Sequence, residues 1–261
     1  NQITSIDLSN NIALEDLSIG DNQLTALDVS KNIALKSLYF HNNQLDSINV
    51  SKNTALRWLY MTGNKVKDLN VSKNTALVHL TCSSNLLTTL DLSQIKALED
   101  LICDHNQLTE LDISKNILLN GLYCNSNKLN VLNTSKNTNL VRIECDSNKI
   151  TRLDTSNNLL LSGLNCNSNL LTSLDISKNT ALDYLKCASN QLINLNLKNG
   201  NNTKFINTTM VDNLKNNQKL TCIQVDDVAY ANKNWMNAKD SWATYNTTCA
   251  VEYVALLDTN F

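Results

Sequence analysis

Apolar residues recur along this chain with a fixed period of 21 residues. Within each period, apolar residues two apart, such as Leu80 and Cys82, predict a short strand with one buried face. A second group of apolar residues follows an asparagine, as Leu87 follows Asn85. A polar segment of the form Asp-x-Ser-x-Asn, as at residues 28–32, then predicts a turn, because these short side chains bond to their own backbone.

The second strand position is occupied by cysteine in six consecutive periods. These residues are Cys82, Cys103, Cys124, Cys145, Cys166 and Cys187, and the same column holds Ile19, Phe40 and Met61 upstream. Inward side chains on successive parallel strands form a straight row about 4.8 Å apart. Such a row cannot surround a tetrahedral zinc ion and disfavours disulfides between neighbours. We therefore interpret the six cysteines as a structural core ladder of buried thiols.

An asparagine column follows the cysteine column by three residues. Its members are Asn22, Asn43, Asn64, Asn85, Asn106, Asn127, Asn148, Asn169 and Asn190. A side-chain amide at this position can satisfy backbone donors and acceptors that the turn leaves unpaired. With 5 glycines and 0 prolines in the chain, the turns must rely on Asn, Asp and Ser, which tolerate left-handed backbone better than other side chains.

The repeating unit, LxxLx(C/Φ)xxNxLxxLDxSxNxx, resembles the leucine-rich repeat, with cysteine in place of one leucine. The 21-residue cysteine form is similar to the cysteine-ladder repeats of bacterial internalin-type surface proteins and of secreted Bacteroidetes proteins. The match covers roughly residues 1–200. The resemblance implies a β-rich repeat solenoid of the α/β leucine-rich-repeat class. It would be right-handed, with a parallel sheet on the concave face, an irregular or 3-10 convex side and a C-terminal cap.

We expect three segments along the chain. Residues 1–198 would form the solenoid, with about nine complete repeats, and residues 199–250 the cap. Residues 251–261 would begin a further segment or linker. The repeat fades after Leu197, and the aromatic residues within 227–247 predict a helical or irregular cap. Asn1 aligns with Asn22, so the pattern predicts that the upstream strand and the N-terminal cap precede this chain.

Two cysteines, Cys222 and Cys249, lie outside the ladder and flank the predicted cap. We predict that they form a disulfide, which would contribute about 3 kcal/mol in the chain-entropy model. The alternative is two free thiols. A structural disulfide favours a secreted or cell-surface location, because such bonds persist outside the cytosol.

Charge and composition exclude several classes of function. The formal net charge of −2 gives no global field that would select nucleic acid. No apolar stretch of about 20 residues predicts membrane insertion. The three histidines, His41, His79 and His105, are predicted on outward strand positions without a shared column, which argues against a metal site. We therefore predict no cofactor, no metal, no catalytic residues and no enzymatic activity within this chain.

Two polar columns leave alternatives open. The aspartates Asp7, Asp28, Asp91, Asp112, Asp154 and Asp175 alternate with Asn49, Asn70 and Asn133. A calcium rail is one interpretation, but the neutral asparagines favour turn capping. The lysines Lys31, Lys52, Lys73, Lys115, Lys136 and Lys178 are interpreted as a solvated column or as a contact for an anionic glycan.

The outward strand positions vary between repeats, as the scaffold permits at a recognition surface. The candidate ligand-binding residues on the concave face are Tyr39, His41, Trp58, Tyr60, His79, Tyr123 and Tyr184. Exposed Trp and Tyr are enriched at binding hot spots. The alternative interpretation is incidental exposure or a self-association contact.

These observations and the resemblance favour a non-catalytic binding module of a secreted or cell-surface bacterial protein. It would recognise a protein or glycan on another cell or matrix, in the manner of an adhesin. One alternative is a structural segment of a surface filament or large adhesin that assembles through the solenoid ends. Another is a substrate-binding appendage of an enzyme whose catalytic part lies outside this chain.

Overall fold

A computed structural model describes residues 1–205 and 213–250, which fold into short strands joined by turns. Each strand is three residues long. Its central residue faces the core and its two neighbours face outward, and the chain turns on either side of them. The elements of this described part are β1 (Asp16–Ser18), β2 (Ser37–Tyr39), β3 (Trp58–Tyr60), β4 (His79–Thr81), β5 (Asp100–Ile102), β6 (Gly121–Tyr123), β7 (Arg142–Glu144), β8 (Gly163–Asn165), β9 (Ser173–Asp175), β10 (Tyr184–Lys186), β11 (Asn194–Asn196), β12 (Cys222–Gln224), α1 (Val228–Asn234), β13 (Thr244–Asn246) and a 3-10 helix, Asn202–Lys204.

The long sheet contains nine parallel strands in the order β1 to β8 followed by β10. Each residue pairs with its equivalent in the next period, as Leu59 pairs with Leu80 and Leu80 with Leu101. The register therefore follows the 21-residue period of the sequence. The predicted solenoid with a parallel sheet is confirmed.

A second, shorter parallel sheet contains β9, β11, β12 and β13 in spatial order. Its strands carry the apolar residue that follows the asparagine column, so Leu174 pairs with Leu195 and Leu195 with Ile223. The sequence predicted a single sheet. The second sheet lies in the C-terminal turns and extends the solenoid into the cap.

The core lies between the long sheet and the turns on the opposite side. Nearly all residues of the leucine columns are buried, and the six ladder cysteines are fully buried, in one continuous apolar cluster. Upstream, the larger side chains of Phe40 and Met61 fill the cysteine column and are also fully buried. The column therefore accepts side chains of different size along the solenoid.

The first asparagine ladder is made by the column after the cysteines. The Asn85 Oδ1 accepts a hydrogen bond of 3.1 Å from the Val66 backbone N–H. The Asn85 Nδ2 donates to the carbonyl oxygens of Met61 at 3.0 Å and Cys82 at 3.2 Å. The same pattern recurs around Asn106, which confirms the predicted role of this column. Each amide therefore joins two successive turns of the solenoid.

The residue before each ladder asparagine has left-handed backbone. These residues are Asp21, Asn42, Ser84, His105, Ser126, Ser147, Ser168, Ser189 and Asn216, with φ from 50° to 60°, and Gly63, with φ 68°. The sequence predicted that Asn, Asp and Ser would supply this conformation. The structure places it immediately before the asparagine ladder, where the chain turns away from the strand.

A second asparagine ladder runs along the opposite side of the core. Its fully buried members are Asn32, Asn53, Asn74, Asn116, Asn137, Asn158 and Asn179. The Asn53 Nδ2 donates to the carbonyl oxygens of Val29 at 3.0 Å and Asn32 at 2.8 Å. Ile95, also fully buried, replaces asparagine in one period. The sequence pattern predicted these asparagines only as residues of a polar turn.

The aspartate column caps the outer turns. The Ser30 backbone N–H donates to Asp28 Oδ1 at 2.8 Å, and this bond lowers the pKa of the Asp28 carboxyl. Asn49 accepts the equivalent bond from Ser51 at 3.0 Å. Both residue types make the same contact, which supports the turn-capping interpretation of this column.

The ladder continues into the region predicted as the cap. The Asn217 Oδ1 accepts from the Leu192 N–H at 3.1 Å, and its Nδ2 donates to Leu214 O at 3.0 Å. The sequence pattern missed this turn because Asn217 follows Asn190 by more than one 21-residue period. Solenoid geometry therefore extends beyond residue 198.

The end of the described chain is closed by α1 and β13. The Asp227 side chain caps α1 by accepting from the Tyr230 N–H at 3.0 Å. Trp235 is buried and packs edge-on against Phe205, Tyr230 and Tyr245. The predicted further segment, residues 251–261, lies outside the described residues.

The cap contains the predicted disulfide between Cys222 and Cys249. Cys222 begins β12, and Cys249 follows β13, the strand that pairs with β12 in parallel. Their Cα atoms are 5.9 Å apart, within the usual range for a disulfide. The bond therefore ties the last two strands of the second sheet together.

Candidate functional site: the outward face of the long sheet

The outward side of the long sheet carries the side chains that differ most between repeats. On each strand, the two residues flanking the buried central residue face away from the core, as Trp58 and Tyr60 flank Leu59. We call these flanking side chains, together with the outward-facing residues among the three that follow each strand, the sheet face. The backbone beneath them is held by parallel pairing on both sides. Their positions are therefore fixed by the scaffold.

Four of the predicted residues form two stacked pairs on adjacent strands. The rings of Tyr39 and Tyr60 lie 4.8 Å apart between centroids at an interplanar angle of 28°. The rings of Trp58 and His79 lie 6.2 Å apart at 8°. Arg57 places its guanidinium carbon 5.0 Å from the Trp58 ring centroid. Tyr39, Trp58, Tyr60 and His79 thus form one aromatic cluster across β2, β3 and β4.

Stacking changes which part of each ring a ligand meets. Each ring of the cluster lies beside another along the solenoid axis, so the partner covers part of one face. Trp58 and Tyr60 are both half-buried. Burial also raises the pKa of the Tyr60 hydroxyl, with smaller contributions from Tyr39 and the Asp100 charge. The cluster therefore presents edges and hydroxyl groups more than open ring faces.

A carboxylate borders the aromatic cluster on β5. The Asp100 Oδ2 lies 2.9 Å from His79 Nδ1. The other oxygen, Oδ1, lies over the backbone of Gly121, where a Cβ atom would overlap it. Oδ1 forms no hydrogen bond with another residue that the structure describes. Asp100 was not among the site residues predicted from the sequence.

Two of the three histidines differ in position from their prediction. Only His79 lies on a strand, whereas His41 and His105 follow β2 and β5. The prediction failed for these two because the chain leaves the strand direction after the cysteine column, and His105 has a left-handed φ of 51°. His41 Nε2 lies 3.3 Å from an Asp21 oxygen, and His105 Nδ1 lies 2.7 Å from an oxygen of Asp104.

The remaining predicted residues lie further along the sheet. Tyr184 on β10 has the Arg142 guanidinium carbon 4.8 Å and the Lys186 Nζ 5.4 Å from its ring centroid. Arg142 reaches Tyr184 across Gly163 and is held by Glu144 at 2.6 Å. Tyr123 on β6 is half-buried between the two regions. The seven predicted residues therefore do not form one contiguous cluster.

The ladder cysteines offer no reactive surface. All six are fully buried, and burial raises the pKa of the Cys82, Cys124 and Cys187 thiols to about 12. Thiols in this state are protonated and poorly nucleophilic at neutral pH. Within residues 1–205 and 213–250, no group of three or more His, Cys, Asp or Glu side chains is arranged to hold a metal ion.

Known structures with the same architecture include a listerial protein with the same cysteine feature. The functional domain of InlJ from Listeria monocytogenes, whose description includes a cysteine ladder, is 32% identical with a TM-score of 0.76. The chain is an internalin-like leucine-rich-repeat solenoid with a cysteine ladder. The alignment covers 94% of this solenoid and 50% of the InlJ structure, so the chain spans about half the length of that relative.

Two further structures share the fold of this internalin-like solenoid at lower identity. The internalin InlF of Listeria monocytogenes is 21% identical, with a TM-score of 0.66 and coverage of 96% of this chain and 79% of its own. A leucine-rich-repeat protein of Leptospira interrogans is 20% identical, with a TM-score of 0.67 and coverage of 83% and 55%. No protein-family model and no curated protein matches the sequence.

Helices are short in the described part of the chain. The single α-helix there, α1, has seven residues. Across residues 1–205 and 213–250, no helix has the length and apolar character needed to cross a bilayer.

Proposed function

We propose that this internalin-like solenoid is a non-catalytic adhesion module that binds a protein on another cell or in the surrounding matrix through the sheet face. The observation that carries the proposal is the aromatic cluster of Tyr39, Trp58, Tyr60 and His79 on adjacent strands of a rigid sheet. Large side chains that are already ordered lose little entropy on binding. Trp and Tyr in such positions are typical of interface hot spots.

The stacked geometry favours a protein over a glycan as the ligand. A sugar ring binds an aromatic side chain mainly by lying on an open ring face. In this cluster Tyr39 and Tyr60 face each other at 4.8 Å, and Arg57 lies over Trp58. A protein surface can instead pack against ring edges and accept or donate hydrogen bonds at the Tyr60 hydroxyl.

We also propose that the module acts outside the cytosol. The disulfide between Cys222 and Cys249 supports this location, since structural disulfides persist in oxidising compartments. In this proposal the solenoid, which continues past residue 198 to the turn of Asn217, carries the binding surface, and α1 and β13 close its end. The similarity to internalin domains is consistent with display at a bacterial surface.

Binding assays with the purified chain test the proposal. The chain would be applied to an array of extracellular proteins and, in parallel, to a glycan array. Replacing Trp58 and Tyr60 together by alanine should remove most binding to the protein array and leave folding intact, because both side chains are half-exposed.

The matched control is the double replacement of Ile117 and Leu118 by alanine. Both side chains are exposed, at 55% and 44%, and lie in a turn before β6 rather than on the sheet face. The control should bind like the unmodified chain. Equal binding by the Trp58→Ala/Tyr60→Ala variant, or signal on the glycan array alone, would contradict the proposed function.

A further inference from the structure

Two arginines on the sheet side of the solenoid stack on aromatic rings, and they differ in their other contacts. The Arg57 guanidinium carbon lies 5.0 Å from the centroid of Trp58, and that of Arg142 lies 4.8 Å from the centroid of Tyr184. Both distances are within the usual range for a cation–π contact. Arg142 also donates to Glu144 Oε1, from Nη2 at 2.6 Å and from Nε at 2.8 Å. Arg142 therefore already has a carboxylate partner within the chain.

Arg57 has no such partner. Its guanidinium forms no hydrogen bond and no ion pair with any other residue among 1–205 and 213–250. A guanidinium carries five N–H donors in a fixed plane and keeps its charge at any physiological pH. The Arg57 side chain is exposed, so these donors are available to a ligand.

The neighbouring turns explain why Arg57 lacks an acid. Arg57 directly precedes its strand, and the equivalent residues on nearby turns are Glu15, Lys36, Val78 and Glu99. Lys36, on the preceding turn, binds Glu15 at 2.6 Å. Val78, on the following turn, carries no charge, and Glu99 lies two turns away, about 9.6 Å along the solenoid. The acid that could have paired with Arg57 is thus either bound by Lys36 or distant.

The sheet fixes the position of Arg57. Its backbone N–H donates to Lys36 O at 2.8 Å, and its carbonyl oxygen accepts from the N–H groups of Val78 at 2.9 Å and His79 at 3.0 Å. Stacking on Trp58 orients the guanidinium plane. An oriented guanidinium loses little entropy when it donates two parallel hydrogen bonds to a carboxylate.

We infer that the protein partner of the sheet face places an aspartate or glutamate side chain against Arg57, and that Arg57 determines this specificity. The inference rests on the proposed function of the sheet face. The carboxylate of the partner accepts two hydrogen bonds from the guanidinium, while apolar groups beside it contact Trp58 and Tyr60. These contacts exclude water from the ion pair, which strengthens it.

The test uses binders selected from a randomised single-domain display library against the intact chain. Binders are kept only if they fail on the Trp58→Ala/Tyr60→Ala variant, so that each one occupies the sheet face. Aspartate and glutamate should be enriched at randomised positions whose alanine replacement abolishes binding. The net charge of the chain, −2, does not favour acidic binders by itself. A parallel selection against the Arg57→Gln variant should therefore lack the enrichment.

Three variants separate a direct contact from a general effect of charge. Arg57→Gln should weaken the binders about 10- to 100-fold and reduce their salt dependence. Arg57→Lys keeps the charge but loses the planar pair of donors, so it should weaken them several-fold. Lys36→Gln removes the same charge one turn away, where it is already paired with Glu15, and should leave affinity nearly unchanged.

A double-replacement cycle distinguishes binding by Arg57 from positioning of Trp58. The critical acidic residue of a binder is replaced by its amide, and this binder is measured against the unmodified chain and against Arg57→Gln. If the carboxylate binds Arg57, the second replacement should cost little once the first is made. Losses that simply add would show that Arg57 acts only through the Trp58 ring. Matching melting curves for Arg57→Gln and the unmodified chain would show that the loss is local.

The outcomes separate the two proposals. If sheet-face binders keep their affinity for Arg57→Gln, carry no acidic enrichment or show additive losses, the specificity inference is wrong and the adhesion proposal stands. If no selected binder depends on Trp58 and Tyr60, the sheet face is not a binding surface and both proposals fail.

Discussion

The Thr134 hydroxyl donates a hydrogen bond of 2.8 Å to the buried Oδ1 of Asn158, which lies on the next turn of the second asparagine ladder. Thr155 makes the same contact with Asn179 at 2.8 Å. Other repeats have valine, leucine or isoleucine at the position of Thr134 and Thr155. In those repeats the Oδ1 of the ladder asparagine on the next turn is buried without a partner. These unpaired atoms are the Oδ1 of Asn32, Asn53, Asn74, Asn116 and Asn137.

This relationship predicts that one added hydroxyl can satisfy an unpaired amide oxygen. Val50 precedes Asn74 by the same interval that separates Thr134 from Asn158, and it is buried. In Val50→Thr the new hydroxyl should donate to Asn74 Oδ1. The resulting bond should offset the cost of burying a hydroxyl, so the free energy of unfolding measured in urea should stay near that of the unmodified chain.

Val71→Thr is the matched control, because Ile95 takes the place of the ladder asparagine on the next turn. Its hydroxyl has no side-chain amide oxygen to bind there. Unfolding should be easier for Val71→Thr than for Val50→Thr by about 1–2 kcal/mol. Equal stability of the two variants would show that the ladder oxygens gain nothing from a donor.

The cysteine ladder predicts a stability change that depends on pH. At neutral pH, Cys124→Ala should lower the free energy of unfolding by about 1–2 kcal/mol through lost packing. Burial raises the pKa of the folded-state thiol from 9.0 to about 12. Stability from this protonated thiol is therefore complete below pH 9 and is lost as pH rises towards 12, since the unfolded chain releases the proton first.

At pH 10 the Cys124 thiol of the unmodified chain has lost about 1.4 kcal/mol of its contribution to stability. The Cys124→Ala variant has no thiol to ionise at that position, and the other five ladder thiols are common to both proteins. The difference in free energy of unfolding between the two proteins should therefore disappear between pH 8 and pH 10. Urea titrations at both pH values measure this difference. A difference that stays constant would mean that the thiol is accessible to solvent in the folded state.

The disulfide predicts a local contribution to stability. Replacing Cys222 and Cys249 together by serine should destabilise the cap by about 3 kcal/mol in the chain-entropy model, given a sequence separation of 27 residues. Hydrogen exchange should quicken first in β12, β13 and α1, whereas the strands around Leu80 should keep their protection. Uniform loss of protection along the solenoid would contradict a local role.

The solenoid could be predicted well from the sequence, because the buried residues that form it recur with a fixed period. Leu80 and Cys82 repeat at one interval, and each lies fully buried in the column expected for it. Parallel register then placed Tyr39 beside Tyr60 and Trp58 beside His79. The ring angles could not be read from the pattern, since they depend on the side-chain torsions and on neighbours such as Arg57.

Other features escaped prediction for identifiable physical reasons. Asn53 belongs to a polar turn motif, and only the path of the turn brings its amide into the core. Asn217 continues the first ladder, but a longer spacing hides it from a 21-residue pattern. The position of the Asp100 carboxylate depends on the absence of a side chain at Gly121, on another repeat.

Alkylation of the native chain, read by mass spectrometry, tests most directly whether the 21-residue turns stack in register around a closed core. The six ladder thiols are fully buried, and Cys222 and Cys249 are bonded to each other. Iodoacetamide at pH 8 should therefore modify none of the ladder cysteines in the native chain and all six in urea. Modification of the native ladder at the rate seen in urea would contradict the structure and the surface that it displays.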